Sequence, residues 1–211
     1  MNIIEFVGNN GLVPVLAVNS AGLAEGLGRS LIEGGLPIAE VTLRTDCAMD
    51  VIKTMSAMDG LVTGAGTVIN GAQAEEVIEA GAQFIVSPAL SAEVSTVCRE
   101  RGIPYIPGVA TPRDIQDAIA LGHSVVKFFP AEANGGIKTL KSYAAPYGGV
   151  TFMPTGGINA ANLASYLELP FVVACGGSWL VNKNDLNEGN WDSIKSTVRD
   201  AVELVKQIRN S

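Results

Sequence analysis

The 211-residue chain is predicted to form a single-domain (β/α)8 barrel, residues 1–211, with a short N-terminal helix. Three observations predict it. Eight apolar, β-branched runs have strand length; their starts fall 20–26 residues apart; and each is followed by a turn and a segment with apolar residues at three- and four-residue spacing. That spacing leaves room for a helical crossover between parallel strands, which needs a dozen residues or more. Eight such units in one domain match a closed barrel at the short end of its size range. A doubly wound open sheet fits less well, because no Gly-x-Gly-x-x-Gly turn opens the first helix. A leucine-rich solenoid would show a Leu-x-x-Leu-x-Leu series, and none is visible.

In chain order, residues 1–10 have the pattern of a short amphipathic helix ending at Asn9-Asn10-Gly11. Strands are expected over 12–18, 38–43, 62–67, 84–90, 105–110, 125–131, 151–157 and 172–178. Gly34-Gly35, Gly60, Gly81, Gly102 and Gly122 stand where helix C-caps precede the next strand, and Asn70 and Asn159 stand where N-caps are expected. Residues 181–190 have the composition of a polar loop, and 191–210 of a final helix on which Trp179 and Trp191 would pack.

Composition narrows the function classes. At 47% hydrophobic and 17% charged, the chain can bury one sizeable core. A net charge of −7 argues against a nucleic-acid partner, whose phosphates would be repelled, but leaves room for a small anion held locally. No apolar run approaches the roughly 20 residues of a membrane span, and Met1-Asn2-Ile3-Ile4-Glu5-Phe6 is not a secretory signal, so a cytoplasmic location is expected. Cys47, Cys98 and Cys175 are far apart and read as reduced thiols; the lone His123 has no ligand-spaced partners, so no metal site is expected.

The chemistry collects at predicted strand ends, where barrels carry their active sites. Lys127 lies in the apolar run Val125-Val126-Lys127-Phe128-Phe129-Pro130-Ala131-Glu132. An ammonium loses hydration that an apolar wall cannot replace, and burial favours the neutral amine, a nucleophile able to form a Schiff base. The plainer alternative is a lysine that snorkels to solvent or pairs with Glu132. Glu40, Thr42 and Arg44 share one face of an alternating strand. A desolvated inward glutamate there would shuttle protons near neutral pH, whereas a Glu40–Arg44 surface pair would do little. Thr67, Ser87-Pro88 and Pro107-Gly108 end other strands. Thr155-Gly156-Gly157 and Gly176-Gly177-Ser178 put Gly-Gly turns after the last two predicted strands, where barrels bind phosphate on backbone N–H groups. His123 precedes its strand, at the stability face, and Lys138 and Lys141 read as a solvated helix face.

The motifs Glu40-Val41-Thr42-Leu43-Arg44-Thr45, Gly64-Ala65-Gly66-Thr67-Val68, Lys127-Phe128-Phe129-Pro130-Ala131-Glu132, Pro154-Thr155-Gly156-Gly157-Ile158 and Gly176-Gly177-Ser178-Trp179-Leu180 resemble those of the KDPG/KHG aldolase family over nearly the whole chain. The resemblance implies a homotrimeric barrel acting on an anionic 2-keto acid in the Entner–Doudoroff route, with no metal and no cofactor. It implies Lys127 as the Schiff-base lysine and Glu40 as the general acid/base. Arg44 and Thr67 would contact the pyruvate carboxylate or nearby substrate oxygens, with Pro88 also in contact with substrate, and Thr155 would orient the aldehyde end. Gly156, Gly157, Gly176, Gly177 and Ser178 would cradle phosphate. One departure stands out: many relatives carry a basic residue where this chain has Ala17. Cleavage of the galactonate epimer would keep the buried amine, whereas a phosphosugar isomerase or epimerase and a non-catalytic phosphate-binding barrel would share the glycine site without needing that amine.

Overall fold

The structure is a computed structural model that describes residues 2–210; Met1 and Ser211, at the ends of the predicted helix and domain, lie outside the described residues. The predicted first helix is α1 (Ile3–Asn10), capped by Asn2. The strands are β1 (Leu12–Leu16), β2 (Ile38–Thr42), β3 (Val62–Gly66), β4 (Ile85–Val86), β5 (Tyr105–Ile106), β6 (Gly108–Val109), β7 (Val125–Phe128), β8 (Thr151–Pro154) and β9 (Cys175–Gly177). They run parallel in the orders β5-β4-β3-β2-β1-β9 and β6-β7-β8. Bridges Phe152–Val172 and Thr155–Gly176 join the second set to the β9 side. On the other side β5 and β6 are one chain run interrupted at Pro107. Eight strand positions therefore close into a ring.

Each predicted strand contains an observed one, and the differences have physical causes. Pro107 has no N–H to donate, so the predicted strand 105–110 splits there, although its carbonyl still accepts from Lys127 N at 2.8 Å. The strands stop at Val86 and Phe128, short of the predicted ends, although Ser87, Phe129 and Ala131 each still donate one backbone hydrogen bond to a neighbouring segment. The predicted loop 181–190 contains a short helix, α9 (Lys183–Glu188). Asn159 caps a turn rather than a helix, accepting from Ala161 N at 2.9 Å; the helix, α8 (Leu163–Leu167), starts later.

Helices α2 (Ala24–Glu33), α3 (Ala48–Ser56), α4 (Gly71–Glu79), α5 (Ala92–Arg101), α6 (Pro112–Ala120), α7 (Gly136–Ala144) and α10 (Trp191–Arg209) cover the ring. Helix α3 illustrates the packing: Ala48, Val51, Ile52 and Met55 recur at helical spacing and all are buried. Each such large apolar side chain contributes about 1.5–3 kcal/mol on burial. Helix α6 starts on a reciprocal cap between Thr111 and Asp114 with Pro112 in its first turn. Trp191 heads α10 and lies over Gly26 of α2, whereas Trp179 folds back against Gly177. Inside the ring Phe84, fully buried, fills the space over Gly64. Burial pushes the Cys98 and Cys175 thiols up to about 12, which suits inert core positions. No helix of the described residues is long and apolar enough to cross a membrane, and none of their His, Cys, Asp and Glu residues form a group placed to hold a metal.

His123 stands at the stability face as expected, 2.7 Å from Ser95 Oγ through Nε2 and edge-on to Tyr105. Burial, reinforced by Arg99, holds its imidazole below the ordinary 6.5. The unfolded chain therefore takes up the proton first as pH falls. Stability is level above about 6.5 and declines as pH drops through that value toward the depressed folded one. Thermal melts between about pH 8 and 5 should show Tm falling on the acidic side, and His123→Gln should flatten that fall. An identical slope in the variant would place the titration elsewhere.

Candidate active site

Lys127 and Glu40 meet inside the ring. Strand register sets Lys127 beside Gly108 on one side and Met153 on the other, and Glu40 beside Val15 and Gly64. From these strands, on opposite sides of the barrel, Lys127 Nζ donates to Glu40 Oε1 at 3.1 Å. Their side chains are 6% and 0% exposed. Glycine at position 66 makes the approach possible, since a Cβ there would lie 2.3 Å from Glu40 Oε1. The second carboxylate oxygen, Oε2, is buried with no hydrogen-bond partner among the described residues, so the glutamate has acceptor capacity left over for another donor. Lys127 Nζ also lies 5.0 Å from the centre of the Phe129 ring.

Neither plain pairing occurs. Arg44 stays at the mouth, where its Nε donates to Thr42 Oγ1 at 3.0 Å, and Thr42 Oγ1 donates to the Leu16 carbonyl at 2.6 Å. Glu132 accepts from the Tyr166 hydroxyl, and burial with this carboxylate raises Tyr166 above the ordinary tyrosine range.

Beside the buried pair is a cavity of about 200 Å3, lined on one side by Thr155, Gly156 and Gly157 and on the other by Val15, Arg44 and Ser178. Phe129, Ile158 and Gly176 complete it. At Gly157, φ is +84° and Glu132 Cγ would lie 2.5 Å from any Cβ, so only glycine fits between the cavity and Glu132. Bare N–H groups on such a turn suit an anion. A second lobe of about 210 Å3 continues from the first through Val15, Arg44 and Ser178. A wider hollow, about 420 Å3, lies among His123, Tyr147 and Gly148, away from the Lys127–Glu40 pair.

Of the residues singled out in the sequence, Arg44, Thr155, Gly156, Gly157, Gly176 and Ser178 therefore share one cavity next to Lys127 and Glu40. Gly177 lies behind it against Trp179. Thr67 and Pro88 are not brought into the lining. Thr67 is half-buried with a left-handed backbone, φ 62°, and the Pro88 carbonyl abuts Gly108. Sequence reasoning missed Val15, Phe129 and Ile158 as walls, Lys183 on the outer lobe and Tyr166 as the partner of Glu132. Phe129 and Ile158 sat inside recognised motifs; Tyr166 and Lys183 carried no pattern.

Comparison with known proteins bears on this arrangement. A family model described as "Aldolase: KDPG and KHG aldolase" matches residues 3–197. The KHG/KDPG aldolase of Escherichia coli K12 is 44% identical over 196 residues, covering 92% of each chain. The 2-dehydro-3-deoxy-phosphogluconate aldolase of Haemophilus influenzae is 40% identical over 205 residues, covering 97% of each. A crystal structure of KDPG aldolase from Legionella pneumophila, with pyruvate captured as a covalent carbinolamine, superposes with a TM-score of 0.91 at 35% identity and covers 95% of this chain and 98% of that one. A buried lysine–glutamate pair beside a glycine-lined cavity, in a chain so similar to these along almost its whole length, leads to one assignment: the chain belongs to the KDPG and KHG aldolase family.

Proposed function

We propose that the chain is a class I aldolase that cleaves 2-dehydro-3-deoxy-6-phosphogluconate to pyruvate and glyceraldehyde 3-phosphate, and 4-hydroxy-2-oxoglutarate to pyruvate and glyoxylate. The observation that carries this reading is the 3.1 Å contact between Lys127 Nζ and Glu40 Oε1, closed off from solvent beside a cavity suited to an anion. Support comes also from the Legionella relative, whose pyruvate is held as a covalent carbinolamine.

The Lys127 amine adds to the C2 ketone as it passes a proton to Glu40, and Glu40 returns that proton to the carbinolamine hydroxyl, which leaves as water to give a protonated imine. The imine withdraws the electron pair of the C3–C4 bond as it breaks, while Glu40 takes the C4 hydroxyl proton. The aldehyde leaves; Glu40 returns its proton to C3 of the enamine; water adds to the imine, and pyruvate departs with the amine restored. No other electron sink is required. Glu40 suits the role because its Oε2 has no partner to displace. Arg44 meets the substrate carboxylate, Thr155 orients the aldehyde end, and the Gly156-Gly157 turn with Gly176 and Ser178 seats phosphate. Thr67 and Pro88 have no direct contact in this reading. The active form is a homotrimer in the cytoplasm, on the Entner–Doudoroff route.

Borohydride added with pyruvate should leave a stable mass increment on the Lys127 peptide. A fully active enzyme with that peptide unmodified would exclude the covalent route. Lys127→Met should abolish cleavage, whereas an isomerase or a simple phosphate-binding barrel would keep its activity or ligand. Glu40→Gln should lower kcat by about 10²- to 10⁴-fold. Gly66→Ala, which drives a methyl group into the Glu40 carboxylate, should fold yet lose about 10²-fold in kcat through misplacement alone. Sedimentation equilibrium should give three times the chain mass, and a monomer would refute the trimer.

A further inference from the structure

The cavity beside Lys127 is half of a groove whose two lobes share Val15, Arg44 and Ser178. The lobes differ in charge. The inner one offers backbone N–H groups and neutral side chains, with Arg44 as its single cation. The outer one is lined by both Arg44 and Lys183 and by no acidic residue, in a chain with 21 acidic residues against 14 basic. Such a local reversal of sign attracts an anion against the overall charge.

Lys183 opens α9, which Asn182 caps by accepting from Asn184 N at 2.8 Å and Asp185 N at 3.4 Å. Leu186, 4% exposed, pins the same helix to the barrel. The lysine itself is exposed and forms no ion pair among the described residues. Arg44 is partly committed, with Nε on Thr42. Ala17 lines the same lobe with only a methyl group, at the position where the resemblance leads one to expect a basic side chain.

We infer that Lys183 supplies from α9 the cation that position 17 lacks. A phosphate seated at Ser178, with the reacting carbonyl at Lys127 and the substrate carboxylate on Arg44, presents its outer oxygens to the second lobe, toward Lys183. An ammonium on a four-carbon stem follows such a target without demanding fixed geometry, and a charge-assisted hydrogen bond is about twice as strong as a neutral one. Lys183 is thus a specificity-determining residue that favours phosphorylated over unphosphorylated 2-keto acids. The inference rests on the aldolase reading.

The test is steady-state cleavage of 2-dehydro-3-deoxy-6-phosphogluconate and 4-hydroxy-2-oxoglutarate by wild type, Lys183→Met, and Lys183→Met combined with Ala17→Arg. The single variant should raise KM for the phosphorylated substrate roughly tenfold, the worth of one such bond, with kcat little changed. Cleavage of 4-hydroxy-2-oxoglutarate should be unaffected, and Ala17→Arg should restore the lost affinity. Equal effects on both substrates, no effect on either, or a defect that Ala17→Arg leaves in place would overturn the assignment. If the wild type cleaves no phosphorylated substrate, the aldolase reading fails on that count. Calorimetric titration with inorganic phosphate then decides for Lys183: weaker binding by Lys183→Met upholds it, and equal binding removes it.

Discussion

Two ionisable side chains 87 residues apart meet where almost none of their surface is exposed, and most of the architecture answers to that constraint. Removing one partner of a buried pair leaves an uncompensated charge, at about 3–5 kcal/mol. The pair is therefore tolerable only while β2 and β7 hold their registers on opposite sides of a closed ring. An open sheet would separate these strands or flood them. Small residues serve the same end: Gly66 lets the carboxylate lie against β3, and Gly108 sits beside Lys127 in register. The fold stabilises the pair, and the pair in turn rejects neighbouring registers, because a one-residue slip would turn both charges toward the helices.

The Gly156-Gly157 turn is tied to the same strand that carries Lys127. Beyond β7, Ala131 N donates to Thr155 O at 2.7 Å and Glu132 N to Gly156 O at 3.1 Å. The Glu132 side chain then lies on Gly157 and accepts from Tyr166 of α8. Lys127 and the glycine turn are thereby held at a fixed separation across the groove.

Much of this was legible in the sequence, for identifiable reasons. The repeat of strand and helix lengths survives in any single chain, so the barrel could be read from spacing. Lys127 and Glu40 were visible because a charge in an apolar strand contradicts its surroundings. The glycine pairs stood out because no other residue leaves backbone bare. Less was legible where convergence in space, rather than local pattern, decides. Val15 and Ile158 are ordinary apolar residues that only the closed ring brings together. The short helix α9 has one buried anchor, Leu186, and no period to reveal it. Thr67 and Pro88 end their predicted strands but are not among the residues that line the groove. Strand ends were overestimated because apolar residues continue past the regular ladder, where pairing thins to single bonds, and Pro107 interrupts pairing without interrupting the apolar run.

Phe84 has its own bearing on the order of events. Its ring fills the interior over Gly64, so that stretch of the barrel is packed with side chain and leaves no room for a ligand there. Under the proposed aldolase reading, a three-carbon unit held on Lys127 would lie deeper in the groove than the aldehyde, and the two products would leave in turn.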